Sequence, residues 1–271
     1  MADIDGTLIG RARHASTAVI AAIGRAQRAG LHVGFATARM RAGIDVVAPG
    51  VRVPGPHIVH NGAEVVYEGA SLRTWPLGPT VVAQILSVCD RRRWYAAFYT
   101  SEACLVTDHR PEADRHWRLM GRAPDGTTAD LDAAQSARVL KARVFVFGAS
   151  PDVVVATVAA TGANCVVATS PQEPATNFVN VTSASASKGV ALEVASAHLG
   201  LSLDRVVAVG DGENDLPLFA ASGTAIAMGQ APSAVRAAAH WVAPDVDADG
   251  AADALHAAVE WKTSTRPPGG T

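Results

Sequence analysis

Two carboxylates stand two positions apart at the start of the chain, in the segment Asp3-Ile4-Asp5-Gly6-Thr7. Like charges at this spacing repel one another, and the nearby Arg11 and Arg13 do not obviously neutralise both carboxylates. The alternative interpretation is an Asp-Gly turn whose acids are simply solvated. The segment stands at the carboxyl end of a predicted strand, which is where α/β folds bind their ligands.

A second acidic cluster, Gly210-Asp211-Gly212-Glu213-Asn214-Asp215, comes directly after the apolar run Val206 to Val209. Asp211 and Asp215 are four positions apart, so a helix that begins near Glu213 brings both carboxylates to its first turn. Clustered oxygen ligands without thiolate or imidazole are typical of a Mg²⁺ site. Helix capping would explain one or two of these residues but not the whole set.

A third polar segment, Thr37-Ala38-Arg39, follows the apolar run Leu31 to Ala36. A hydroxyl and a guanidinium at the end of a strand can bind a phosphoryl group. They can equally cap the helix that follows, so this segment alone leaves both interpretations open.

Apolar periodicity predicts the elements that position these segments. Residues 16–29 repeat apolar side chains at helical spacing, and Asn61-Gly62 between two apolar runs is a strong hairpin signal. From Lys188 onward helices and strands alternate, which is typical of a parallel sheet covered by helices. Between about Thr80 and Ser183 consecutive strands have short links, which indicates an antiparallel sheet.

The predicted fold class is therefore α/β, with a parallel-sheet core interrupted by an α+β insertion. We expect a discontinuous core domain over 1–79 and 184–262 and an inserted domain over 80–183. The polar Pro/Gly segment 263–271 offers no apolar face, and we expect it to be a disordered tail.

Composition narrows the function classes. The chain has 271 residues, 49% hydrophobic and 18% charged, with a net charge of -2, which is typical of a folded protein and lacks the basic character that nucleic-acid binding requires. We identify no membrane-spanning run of about 20 apolar residues. The acidic start shows no export signal, so we expect a cytoplasmic protein.

The polar segments, in this order and at these intervals, resemble the four motifs of the haloacid dehalogenase (HAD) superfamily. The matching segments are Asp3-x-Asp5-Gly6-Thr7, Thr37, Ser187-Lys188-Gly189 and Gly210-Asp211-Gly212-x-Asn214-Asp215. The turn Asn61-Gly62-Ala63 and the run Ala227 to Ala231 resemble the Cof-type branch, subclass IIB. This resemblance covers nearly the whole chain and implies a Rossmann-like core with a large C2-type cap.

The resemblance also implies roles for individual residues. Asp3 would be the nucleophile that attacks phosphorus and becomes an aspartyl phosphate. Asp5 would protonate the leaving alkoxide and then activate water. Thr37 and Lys188 would bind the phosphoryl oxygens and complete the catalytic group.

Arg39 and Asn61 would contact the substrate, together with Thr37 and Lys188. Mg²⁺ would reduce the repulsion between an anionic carboxylate and an anionic phosphate. The residues implied as its ligands or close neighbours are Asp3, Asp5 through its backbone carbonyl, Asp211, Asn214 and Asp215.

The function implied is a Mg²⁺-dependent phosphatase acting on small phosphorylated metabolites, chiefly sugar phosphates. Two alternatives stay open. A phosphomutase of the same superfamily would return the phosphoryl group to the sugar, and a catalytically silent protein would keep the fold for metabolite binding. The retention of both Asp3 and Asp5 favours an enzyme. The sequence leaves the oligomeric state open.

The first core strand is expected to be truncated, because only Met1 and Ala2 precede Asp3. Relatives carry about five or six mostly apolar residues there, and a buried parallel strand typically needs about five. On this basis we expect the neighbouring strands to lack partners, the chain to aggregate or be weakly active, and the natural protein to begin upstream. The alternative is that Ala2 to Ile4 suffices as a short strand.

Overall fold

The structure, a computed structural model, describes residues 1–12, 14–170 and 173–263. The chain divides into two units: Met1–Arg73 with the chain from Ser187 onward, and Thr74–Ala186. The predicted insertion, 80–183, differs from the second unit by a few residues at each end. Among the described residues, no helix is long and apolar enough to span a lipid bilayer.

The first unit begins with one helix and a hairpin sheet. Ser16 caps the helix by accepting a hydrogen bond from the Val19 amide at 3.1 Å, and the apolar face of the helix is buried at Val19, Ala22, Ile23 and Ala26. The strands that follow form an antiparallel hairpin and a third, unpredicted strand. The elements are α1 (Thr17–Arg28), β1 (His57–Val59), β2 (Glu64–Tyr67) and β3 (Ala70–Thr74).

The second unit is a six-stranded sheet with helices. Its strand order is β6-β5-β4-β7-β9-β8, and all neighbouring pairs except β5 and β6 are antiparallel. The elements are α2 (Pro79–Arg92), β4 (Tyr95–Tyr99), β5 (Cys104–Val106), α3 (Pro111–Met120), β6 (Gly126–Thr127), α4 (Ala133–Ser136), β7 (Lys141–Val146), α5 (Pro151–Ala159), β8 (Asn164–Ser170) and β9 (Glu173–Thr182).

The chain then returns to the first unit and alternates helix with strand. Strands β10, β11 and β12 pair in that order and in parallel, as the sequence pattern predicts. The elements are α6 (Lys188–His198), β10 (Val207–Gly210), α7 (Leu216–Ala221), β11 (Thr224–Ala227), α8 (Ser233–Ala237), β12 (Trp241–Val242) and α9 (Gly250–Thr263). Thr263 therefore belongs to α9 and not to the predicted tail, whose residues 264–271 lie outside the described part of the chain.

Residues 1–3 fill the centre of the first unit's sheet. Ala2 forms parallel bridges to Phe35 on one side and to Val209 on the other. The amides of Ala2 and Asp3 donate to Gly34 O at 3.0 Å and Val209 O at 2.8 Å, and Val209 N donates to Met1 O at 2.9 Å. Ala36 in turn bridges Ile58, so the short segments connect β10 to the hairpin.

The expectation that a truncated first strand leaves its neighbours unpaired is therefore wrong, and the short-strand alternative describes the structure. The physical reason is that three residues supply backbone donors and acceptors to both sides. The predicted strand Leu31 to Ala36 is shorter than expected, since only Phe35 and Ala36 of these residues form bridges. The predicted α/β class with a parallel-sheet core is confirmed.

Candidate active site

Asp3 is held at the carboxyl end of the central short strand. Its side chain is only 9% exposed, and Ile4, Leu8 and Ile9, which follow it in the chain, are buried in the apolar core. The chain then turns sharply at Gly6, whose φ is +88°, and a Cβ added there would lie 2.1 Å from Asp211 Oδ2. The turn therefore requires glycine and brings the first acidic segment against the second.

Lys188 lies at the first position of α6, directly after the capping residue Ser187. Its buried ammonium donates to Asp3 Oδ1 at 2.8 Å and to Asp215 Oδ1 at 2.5 Å. The hairpin turn packs closely on this helix start, since a Cβ at Gly62 would lie 2.3 Å from the Ser187 carbonyl carbon. Close packing thus fixes the backbone from which Lys188 reaches both carboxylates.

The loop after β10 presents the second acidic pair. Asp215 Oδ2 accepts hydrogen bonds from the backbone amides of Asp211 and Gly212, each at 3.0 Å. Thr7 Oγ1 donates to Asp211 Oδ1 at 3.0 Å. Asp3, Asp211 and Asp215 each offer an oxygen atom, and these atoms lie within 4.8 Å of one another.

This group of carboxylates is electrostatically strained. Burial raises the pKa of Asp3 well above 3.8, and Asp215 and Asp211 add to the rise while Lys188 opposes it. Burial and then Asp215 raise the pKa of Asp211 to about 7. Burial works against the charge of Lys188, but Asp215 and Asp3 outweigh it and raise the pKa of that ammonium. One lysine is therefore too little positive charge for three carboxylates at neutral pH.

A divalent cation fits this arrangement. The oxygens of Asp3, Asp211 and Asp215 are hard donors, and hard donors without sulfur or imidazole suit Mg²⁺. A bound cation would also favour the ionised form of the two acids whose pKa burial raises. These three residues are the side chains that would hold the metal.

Asp5 lies outside the carboxylate group and pairs with Arg39. Arg39 Nε donates to Asp5 Oδ2 at 2.8 Å and Nη2 donates to Asp5 Oδ1 at 2.7 Å, which is a bidentate pair. Arg39 Nη1 also donates to Gly43 O at 3.2 Å. The guanidinium therefore fixes the plane of the Asp5 carboxylate.

Thr37 and Asn61 connect Arg39 and the loop after β10 through hydrogen bonds. Thr37 is buried at the end of its segment, where its Oγ1 accepts from the Arg39 amide at 3.0 Å and its carbonyl accepts from the Asn61 amide at 2.9 Å. Asn61 adopts a left-handed conformation, and its Oδ1 accepts from Asn214 Nδ2 at 2.9 Å. This amide pair ties the hairpin turn to the loop after β10.

The structure thus brings together four of the predicted site residues directly, Asp3, Lys188, Asp211 and Asp215. Two further contributors received no role in the sequence analysis. Thr7 lies in the quoted first motif and positions Asp211. Gln230 lies in the run Ala227 to Ala231 that resembles the Cof-type branch, and its Nε2 donates to Gly6 O at 2.5 Å.

Comparison with known proteins supports the sequence motifs. Haloacid dehalogenase-like hydrolases match residues 1–255. The chloroplastic endoribonuclease YBEY of Arabidopsis thaliana is 25% identical over 94% of this chain and 45% of its own. A phosphoglycolate phosphatase of Methanothermobacter thermautotrophicus is 31% identical over 31% of this chain and 38% of its own. The chain therefore spans less than half the length of these two curated relatives.

Among solved structures, a sugar phosphatase of HAD subclass IIB has a TM-score of 0.76 at 21% identity, over 94% of this chain and 96% of that one. At this identity the similarity demonstrates the fold. The family match over residues 1–255 extends through every site segment described above. The chain belongs to the haloacid dehalogenase-like hydrolases, as its four motifs indicate.

Proposed function

We propose that this protein is a Mg²⁺-dependent phosphatase that hydrolyses small phosphorylated metabolites, chiefly sugar phosphates. The observation that carries the proposal is the Lys188 ammonium between Asp3 and Asp215, beside the carboxylate of Asp211. This proximity supports a site in which Asp3 is the nucleophile, Lys188 binds phosphoryl oxygens and the three carboxylates hold a metal.

In this proposal Asp3 attacks phosphorus and forms an aspartyl phosphate, which water then hydrolyses. Lys188 and Thr37 bind the phosphoryl oxygens and disperse their charge. Asp5 gives a proton to the leaving alkoxide and later takes one from water. Mg²⁺, when bound, would withdraw electron density from the phosphoryl group and lower its repulsion toward Asp3.

Arg39 acts as a positioning residue for Asp5 in this scheme. Because the guanidinium fixes the Asp5 carboxylate through two hydrogen bonds, we expect Arg39→Gln to lower kcat about tenfold, with a smaller effect on KM for an aryl phosphate. Steady-state kinetics measures both constants. Arg28→Gln, on the exposed side of α1, is the matched control. An unchanged kcat in Arg39→Gln would contradict the positioning role.

The names of similar proteins agree with a phosphate ester as substrate. One relative is a phosphoglycolate phosphatase and one solved structure is a sugar phosphatase. We further propose that the Thr74–Ala186 unit is the cap that selects the leaving group. The family resemblance supports this assignment.

The test is phosphate release from a panel of phosphorylated metabolites, with Mg²⁺ and with EDTA. We expect release of inorganic phosphate from several sugar phosphates in Mg²⁺ and none in EDTA. A phosphomutase would instead yield an isomerised sugar phosphate without free phosphate. A silent binding protein would yield neither product while still binding a metabolite.

Metal binding should depend on pH in a defined direction. Mg²⁺ must displace a proton from Asp211, whose pKa is raised to about 7, so we expect affinity to rise with pH up to about pH 8 and then level off. Titration calorimetry in two buffers of different ionisation enthalpy measures the released protons. Asp211→Asn should bind more weakly and with less pH dependence. A pH-independent affinity would contradict the raised pKa.

The raised pKa of Asp211 also affects the folding stability of the metal-free protein, which should fall as pH rises, whereas metal affinity rises. The pKa of Asp211 in the folded state, about 7, exceeds its ordinary value of 3.8, so the unfolded chain releases this proton first as pH rises. The contribution of Asp211 to folding is therefore lost between about pH 4 and 7. Thermal melts in EDTA across that range measure the loss.

A further inference from the structure

The turn at Gly6 is closed partly by its own backbone and partly by a distant side chain. The amide of Ile9 donates to Ile4 O at 2.9 Å, and the amide of Gly6 donates to Ile9 O at 2.8 Å. The carbonyl of Gly6, in contrast, accepts from Gln230 Nε2 at 2.5 Å, and these two residues are 224 positions apart in the chain. Gln230 therefore holds a turn to which it is close only in the folded protein.

The sheet of the first unit brings Gln230 to this turn. Strand β11 runs parallel to β10, and just after β11 the amide of Met228 donates to Gly210 O at 3.0 Å. Gln230 follows two residues later, so it lies at the same carboxyl edge of the sheet as the acidic loop after β10. Arg236 Nη1 donates to the backbone carbonyls of both chain neighbours of Gln230. The backbone at Gln230 is thus fixed on each side.

Both ends of the Gln230 amide make hydrogen bonds. While Nε2 donates to Gly6 O, Oε1 accepts from the amide of Val246 at 3.0 Å. A 180° rotation of the side-chain amide would put two acceptors together at Gly6 and two donors together at Val246, so the two partners determine one orientation. Gln230 is an exposed residue, and apolar burial therefore contributes little to its position. Its contribution to the structure lies in these two hydrogen bonds.

The peptide group that Gln230 holds lies against Asp211. The Gly6 carbonyl and the Thr7 amide belong to one planar peptide, so a contact that fixes the carbonyl also fixes the start of Thr7. Thr7 Oγ1 donates to Asp211 Oδ1 at 3.0 Å. A Cβ added at Gly6 would lie 2.1 Å from Asp211 Oδ2, which shows how closely the turn packs on the carboxylate. Both oxygens of Asp211 are therefore positioned by this turn.

We propose that Gln230 is a positioning residue for the divalent cation: by holding the peptide between Gly6 and Thr7, it keeps the Asp211 carboxylate in the orientation that binds the metal. Gln230 acts through the turn and not on the metal itself. Residues that orient a metal ligand affect metal affinity even though they do not coordinate the ion. The proposal rests on the Mg²⁺ site of the function proposed above, and on no particular substrate.

The first test is the affinity of the full chain for Mg²⁺ alone, measured by titration calorimetry at pH 8. Gln230→Met keeps the length of the side chain but loses both hydrogen bonds, and we expect its Mg²⁺ affinity to be about fivefold lower than that of the parent. Gln27→Met is the matched control, because Gln27 Nε2 of α1 also donates to a backbone carbonyl, Arg52 O, at 2.8 Å. Its affinity should equal that of the parent. Equal affinities in Gln230→Met and the parent would overturn the proposal.

A double-mutant cycle with Thr7 tests the route from Gln230 to Asp211. Thr7→Val removes the hydroxyl that donates to Asp211 and should lower Mg²⁺ affinity about fivefold or more, whereas Thr7→Ser keeps the hydroxyl and should keep the affinity. If Gln230 acts through the turn, Gln230→Met/Thr7→Val should bind Mg²⁺ only slightly more weakly than Thr7→Val alone. Losses that multiply fully would show that Gln230 acts elsewhere, and the proposal would be wrong.

Stability and turnover separate positioning from a general loss of folding. The melting temperature of Gln230→Met in EDTA should lie within about 4 °C of the parent, since only hydrogen bonds of an exposed residue are lost. The Mg²⁺ concentration that gives half-maximal phosphate release should rise about fivefold, while kcat at saturating Mg²⁺ stays within about twofold of the parent.

A fall in kcat that excess Mg²⁺ does not restore would contradict the positioning role. If the parent binds Mg²⁺ but releases phosphate from no substrate, the phosphatase function fails, and calorimetry still decides the role of Gln230. If the parent does not bind Mg²⁺, the metal site fails and this proposal fails with it.

Discussion

Asp3→Asn is expected to reduce phosphate release by at least about a thousandfold, because the amide is a poor nucleophile and the groups around it act as a unit. The volume hardly changes, and Lys188 keeps its hydrogen bond to Asp215. Since burial raises the pKa of Asp3, loss of this charge should leave the metal-free protein at least as stable as the parent at pH 7. Phosphate release and thermal melts measure the two effects.

The matched control is Asp253→Asn, which removes one carboxylate from the exposed side of α9. It should keep parental turnover. A folded Asp3→Asn protein with turnover close to the parent would exclude Asp3 as the nucleophile and with it the proposed mechanism.

Lys188→Met is expected to have the largest effect on stability. The ammonium is buried between Asp3 and Asp215, so its removal leaves two buried carboxylates without their cation, at a cost of about 3–5 kcal/mol. We expect the melting temperature in EDTA at pH 7 to fall by roughly 10 °C. Turnover should fall about a thousandfold, since the phosphoryl group loses a charged ligand.

Mg²⁺ should restore part of the stability of Lys188→Met, because it supplies charge to the same carboxylates. Lys262→Met is the control: this exposed lysine donates to the carbonyls of Ala29 and Gly30 at the end of α1, and its loss should cost about 1 kcal/mol or less. A Lys188→Met protein that melts like the parent in EDTA would show that the buried cation does not balance the carboxylates.

The acidic part of the site could be predicted because its residues follow strands. Asp3 and Asp211 stand at strand ends, and the carboxyl ends of parallel strands meet at one edge of a sheet. The Asp5–Arg39 pair could not be predicted in this way, because it depends on side-chain conformations on two separate loops. The three left-handed residues at His60, Asn61 and Gly62 likewise make a longer turn than the two-residue hairpin that Asn-Gly indicates.

The fold was predictable where periodicity was strong. Helix α3 was missed because its sequence is mostly polar, and it buries only Ala113 and His116. The position of α3 depends on contacts of His116 and Trp117 with aromatic residues of two strands, and local sequence does not encode these contacts. Strand β3 was missed because its short alternating run lies in a Pro/Gly-rich stretch. Tertiary packing decided both elements.

The central position of residues 1–3 has a consequence for folding during synthesis. The Met1 ammonium and its acceptor, Val207 O, are 206 positions apart in the chain. At a translation rate of about 5–20 residues per second, residues 1–3 wait roughly 10–40 s after their own synthesis for this partner. The Thr74–Ala186 unit is continuous in sequence and is complete before then. The segment that carries Asp3 is thus made before the Thr74–Ala186 unit, but it meets its partner strand β10 only after that unit is complete.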